Sequence, residues 1–105
     1  MAIHIKDWKE FDTKIKEAGD ALVVIDFFAK WCGPCKVIGP KIEELATENP
    51  GVVFLKVDVD ECEDLASHYE ISAMPTFVFV KNQEKLDAFS GANADTLKEY
   101  ITKYK

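Results

Sequence analysis

A chain of 105 residues carrying 13 basic and 19 acidic side chains, net charge -6, with 48 % hydrophobic residues, has the composition and size of one soluble globular domain. No lysine-rich block offsets the acidity, which argues against a nucleic-acid partner. The longest apolar run, Ala21 to Ala29, is broken by Asp26 and falls short of the roughly 18 residues that a membrane span requires.

Ile3 to Ile5 reads as a short first strand. Asp7-Trp8-Lys9-Glu10 has the form of a capping box, and Trp8, Phe11 and Ile15 recur at helical spacing until Gly19, so a first helix with Trp8 in its buried stripe is expected. Leu22 to Phe28 is rich in β-branched and aromatic residues and apolar except for Asp26, the pattern of a central strand buried on both faces. From Pro34 onward Val37, Ile38, Ile42, Leu45 and Ala46 mark the buried side of a second helix, with Pro40 a kink and Pro50-Gly51 the stop. Val52 to Val59 is a further strand, and Glu63 to Tyr69 a short helix burying Leu65, Ala66 and Tyr69. Thr76 to Val80 and Leu86 to Ser90 are strands joined by a polar turn over Lys81 to Lys85, and Asn93 caps a last helix bearing Leu97, Tyr100, Ile101 and Tyr104. The order β-α-β-α-β-α-β-β-α predicts a three-layer α/β/α sandwich over residues 1–105, one domain, with ligands gathering beyond the carboxyl ends of the strands.

Cys32 and Cys35 fall at that place, in Trp31-Cys32-Gly33-Pro34-Cys35 directly after the central strand. A helix starting there sets the first sulfur beside unpaired backbone N–H groups, with Lys30 and Lys36 adding positive charge, and these favour a thiolate. Cys32 is therefore the expected nucleophile. Cys35, three residues on and on the same helix face, is the expected resolving thiol and the less exposed sulfur. Half of a zinc site is the competing reading of a CxxC pair, but no second ligand pair accompanies it: Cys62, His4 and His68 are scattered singly. Three cysteines with one close pair, and no secretory leader at Met1 to Trp8, make a reducing intracellular compartment the expectation. Asp26, inside an apolar strand, should have a raised pKa. Cys62 sits in the acidic stretch Asp58 to Asp64, which should blunt its reactivity, and that stretch reads as a solvated face able to orient a basic partner.

With the CGPC motif, Asp26, Pro40, Lys56, Met74-Pro75-Thr76 and Gly91, the chain resembles the thioredoxin family over nearly its whole length. Residues 57–62 and 89–93 look most like its cytosolic animal-type branch. The resemblance implies a mixed five-stranded sheet flanked by four helices. It also implies a general protein disulfide reductase with no bound cofactor, re-reduced by a thioredoxin reductase that draws on NADPH, and acting on client proteins with exposed disulfides in the cytoplasm or nucleus. It places Lys56 beside Asp26 as a tuning charge and makes Asp26 a proton relay toward Cys35; a structural Asp26–Lys56 pair is the alternative. It makes Met74-Pro75 a cis turn facing the cysteines, and Trp31, Gly33, Pro34, Met74, Gly91 and Ala92 a shallow client-binding rim around Cys32. Positions where animal relatives can carry regulatory cysteines hold Tyr69 and Ala73, so a monomer is expected, with a noncovalent dimer through the Trp31 surface as the alternative. A redox-dependent binding module without turnover is the competing function.

Overall fold

The computed structural model describes residues 1–105. The elements run β1 (Ala2–Ile5), α1 (Trp8–Glu17), β2 (Val23–Phe28), α2 (Gly33–Glu48), β3 (Val53–Asp58), α3 (Glu63–His68), β4 (Thr76–Lys81), β5 (Glu84–Ser90) and α4 (Ala94–Tyr104). They form one five-stranded sheet in the order β1-β3-β2-β4-β5. β1, β3 and β2 are parallel; β4 runs antiparallel to β2, and β5 to β4.

β2 sits at the centre because its side chains are apolar on both faces. Val23, Ile25 and Phe27 join Phe11 and Ile15 of α1 and Leu65 of α3 on one side. Leu22 and Val24 join Ile38, Ile42 and Leu45 of α2 and Leu97 and Ile101 of α4 on the other. Helices thus cover both faces of the sheet, and Asp26, even-numbered like Val24, falls on the α2 side.

The helix signals act as local chemistry dictates. Asp7 Oδ1 accepts the Glu10 N–H at 2.8 Å, and the Glu10 carboxylate accepts the Lys6 N–H at 2.8 Å, so the box closes one residue upstream of its usual partner. Asn93 Oδ1 accepts the Thr96 N–H at 3.0 Å and starts α4. Pro40 lies within α2, where it leaves the Lys36 carbonyl without its helical donor.

Four expectations need correction. Trp8 is not core: it is 37 % exposed, and its ring meets His68 edge-on at 5.0 Å, because at the first helical position its side chain leans past the end of α1. Val37 is 76 % exposed, since a helix that aims Ile38, Ile42 and Leu45 at the sheet turns its neighbour about 100° away. In α3 only Leu65 is fully buried; Ala66 and Tyr69 are half-buried, the Tyr69 ring lying 5.6 Å from that of Phe27. The hairpin turn is tighter than the five residues expected. Strand pairing continues to Lys81 and Glu84, leaving Asn82 and Gln83 with φ of 53° and 65°. Two left-handed residues make a primed turn whose twist matches the strands. A bulge follows, since Phe79 pairs with Asp87 and Val80 with Lys85, leaving Leu86 unmatched.

Gln83 is the poorer fit to that turn, because a left-handed backbone disfavours a Cβ and the second position of such turns favours glycine. Gln83→Gly should raise unfolding stability by about 0.5–1 kcal/mol in a urea titration, and an unchanged or lower midpoint would contradict this reading of the turn.

Candidate active site

The chain leaves β2 at Phe28 and enters α2 at Gly33, with Cys32 as the N-cap in extended backbone (φ -85°, ψ 110°). Its Sγ accepts the Cys35 N–H at 3.1 Å, so a sulfur occupies the place of a capping oxygen. Pro34, in the first turn, has no N–H to satisfy. Cys32 and Cys35 are joined by a disulfide, the oxidised state of the pair. Both cysteine residues are buried, Cys32 5 % exposed and Cys35 9 %. Cys32 is covered from across the sheet, where the Met74 carbonyl oxygen lies 3.7 Å from its Sγ, and both cysteines pack with Ala29. Lys30 is turned toward the acidic loop after β3, its Nζ 4.0 Å from both Asp58 and Glu61, so its charge is shared rather than dedicated to Cys32.

Asp26 is buried, and its Oδ1 has no hydrogen-bond partner from the chain. Burial pushes its pKa up to about 7, with the Lys56 ammonium pulling weakly the other way. Asp26 and Lys56 are register partners across β2 and β3, yet the carboxyl acts on the ammonium through space and not as a contact pair. Asp26, Lys56, Cys35, Lys30, Lys36, Phe28, Ala29 and Gly39 line one open cleft of about 520 Å³.

Facing Cys32 from the other side, the Met74-Pro75 peptide bond is cis, and Pro75 is buried just ahead of β4. Its carbonyl accepts the Gly91 N–H at 2.9 Å, which sets the loop after β5 beside it; Gly91 has φ 113°, open to glycine and not to a side chain. Gly33, Pro34, Gly91 and Ala92 are exposed and Met74 is half-buried, and Trp31 is 68 % exposed with its Nε1–H donated to Asp60 at 3.0 Å.

Three polar residues to which the sequence analysis gave no part in the site hold these pieces. Thr76 Oγ1 lies 2.6 Å from the Ala73 carbonyl and 2.8 Å from Ser90 Oγ, tying the Pro75 loop to the end of β5. Their signal was a hydroxyl at each strand end flanking Met74-Pro75 and Gly91. Asp58 is buried rather than part of a solvated face: its Oδ1 accepts the Asp60 N–H at 2.9 Å, shaping the loop that presents Asp60 to Trp31.

The remaining candidates stay apart from the site. Cys62 is buried with its thiol directed at the Ile5 and Lys6 carbonyls, and burial first, then Asp64, Glu61, Asp58 and Asp7, push its pKa up. His4 pairs with Glu61 at 2.8 Å, and His68 packs between Trp8 and Tyr69. No group of three or more metal-binding side chains forms.

The thioredoxin family model matches residues 2–103. The chain belongs to the thioredoxin family. It is 52 % identical to a thioredoxin of Ictalurus punctatus, each covered in full, and 50 % identical to an H-type thioredoxin of Oryza sativa over 99 % of this chain and 85 % of that one. Its backbone superposes on the X-ray structure of Fasciola hepatica thioredoxin with a TM-score of 0.96 at 48 % identity, covering 98 % and 99 % of the two chains. Animal members are thus among its similarities, as residues 57–62 and 89–93 suggested. Thioredoxins are thiol–disulfide oxidoreductases that work through this disulfide and carry no cofactor, and this chain is a protein disulfide reductase of that kind. As a family they are reduced by thioredoxin reductase and act on disulfide-bearing clients.

Burying Asp26 has a signed effect on folding. Its pKa rises from 3.8 to about 7, so between these values the native state holds a proton that the unfolded chain has lost, and stability falls as pH rises. The loss is complete above pH 7 and on the order of 4 kcal/mol. Asp26→Asn should therefore stabilise the oxidised protein by an amount that is small at pH 4, grows through pH 7 and then levels off, read from urea unfolding at several pH values. A difference independent of pH would contradict the assignment.

Proposed function

We propose that Cys32 is the attacking thiolate, Cys35 the resolving thiol and Asp26 the proton relay between them, within a single domain spanning residues 1–105. The observation that carries this reading is the Cys35 N–H aimed at Cys32 Sγ at the start of α2, since a helix N-terminus favours negative charge on that sulfur. In the reduced protein, Cys32 sulfur attacks one sulfur of a client disulfide, forming a mixed disulfide and expelling the other client sulfur as thiolate. Asp26 then takes the Cys35 proton through water in the shared cleft. Cys35 attacks Cys32 Sγ, the Cys32–Cys35 disulfide forms, and the second client sulfur leaves and is protonated. Two electrons pass from the pair to the client.

Lys56, in the same cleft, tunes Asp26 by attracting its ionised form. Trp31, Gly33, Pro34, Met74, Pro75, Gly91 and Ala92 form the client rim. Met74 precedes β4, so its backbone lies outside the sheet ladder, where an extended peptide can pair with it as an added strand. Such main-chain recognition tolerates many sequences, which suits a general reductase. The partner that restores the dithiol is an NADPH-dependent thioredoxin reductase, and the protein acts as a cytoplasmic monomer.

In an insulin turbidity assay with dithiothreitol, the protein should accelerate precipitation, Cys32→Ser should abolish the acceleration, and Cys35→Ser should accumulate covalent mixed disulfides. A protein that only docks on partners would leave the rate at the uncatalysed value. Asp26→Asn should slow release from a preformed mixed disulfide by roughly 100-fold or more at pH 7, with first attack by Cys32 little changed. Equal slowing of both steps would remove the relay.

A further inference from the structure

The proton step depends on where the Lys56 ammonium sits, and nothing in the reading above holds it. Lysine is a point charge on a flexible four-carbon stem that reaches for water when it can. The carboxylates near this side of the sheet are engaged elsewhere: Asp58 and Glu61 pair with Lys30 and His4. Lys56 Nζ instead lies over the ring of Phe28, 4.7 Å from its centroid. Phe28 follows Asp26 by two residues on β2, so both side chains emerge on the α2 face, and both line the cleft with Cys35. The far side of the arrangement is closed by His4, whose ring meets Phe28 edge-on at 5.9 Å and 86°. His4, Lys56 and Asp26 occupy one register level across β1, β3 and β2.

We propose that Phe28 is a positioning residue for the second thiol transfer: its ring face holds the Lys56 ammonium in the cleft shared by Asp26 and Cys35, and His4 braces the ring. This rests on the relay role of Asp26 given above. A cation over a half-buried aromatic face is attracted by the ring quadrupole without being neutralised, so the charge stays available to a carboxyl that it does not touch. A carboxylate in the place of Phe28 would pair with Lys56 and cancel it; an aliphatic residue would let the stem swing to solvent. The charged and titratable groups facing Lys56 are Asp26 from β2, His4 from β1, Lys30 from the end of β2, and Cys35 and Lys36 from α2. The two cleft lysines repel the ammonium, so the ring is what keeps it in place.

The test follows release of client from a preformed mixed disulfide as a function of pH, with the Asp26 carboxyl observed by carbon-13 NMR in the same variants. Phe28→Leu keeps apolar bulk and removes the ring face. It should move the profile and the carboxyl titration upward by about half a pH unit, as Lys56→Met does, because Asp26 loses its nearby cation. The double variant should move no further than either single one, and Phe28→Tyr should restore the wild-type midpoint. If Lys56→Met moves the midpoint and Phe28→Leu leaves it in place, lowers it, or adds to it in the double variant, Phe28 does not hold the ammonium and the proposal is overturned while the relay stands. If Asp26→Asn leaves the profile unchanged, the relay itself is wrong and the proposal goes with it.

Discussion

A single hydrogen bond, from the Cys35 N–H to Cys32 Sγ, organises the active end of the molecule. It makes the sulfur the cap of a sixteen-residue helix, so one of the N–H groups left unpaired at a helix start is donated to the atom that we propose carries the negative charge. The bond is only as fixed as the junction beneath it. β2 is clamped on both faces, and α2 is seated by Ile38, Ile42 and Leu45. Side chains far from the chemistry therefore decide where the sulfur points.

The second half of the site works against stability. Asp26 is an acid in an apolar layer with an unpartnered oxygen, a group that folding would be better without at neutral pH. Its place is explained by what it shares: a cleft with Cys35 and with an ammonium that acts without contact. An ion pair would have relieved the burial and fixed the carboxyl as charged. Burial raises its pKa to about 7 against the pull of the Lys56 ammonium, a value that suits the relay we propose.

Much of this was legible in the sequence, for reasons that can be named. β2 declared itself because a strand buried on both faces cannot hide its composition, and Asp26 stood out against it. The cysteine spacing and the strand-to-helix junction placed the sulfurs. What stayed illegible depended on tertiary neighbours. Val37 and Ile38 are equally apolar letters, and only the sheet beneath α2 says which is buried. Trp8 lost its place in the core to its position at a helix end, and Asp58 looked like one more surface acid until the loop after β3 closed over it. The Thr76 and Ser90 hydroxyls stand at the open end of the expected hairpin, so their meeting was implied by the strand pairing although no local pattern marked it.

The claim that helix capping activates Cys32 is tested most directly by competitive alkylation of the fully reduced protein. At pH 7 under limiting iodoacetamide, with labelled peptides counted by mass spectrometry, Cys32 should react at least about 10-fold faster than Cys35 or the buried Cys62. Equal labelling of Cys32 and Cys35, or faster labelling of Cys35, would contradict the account.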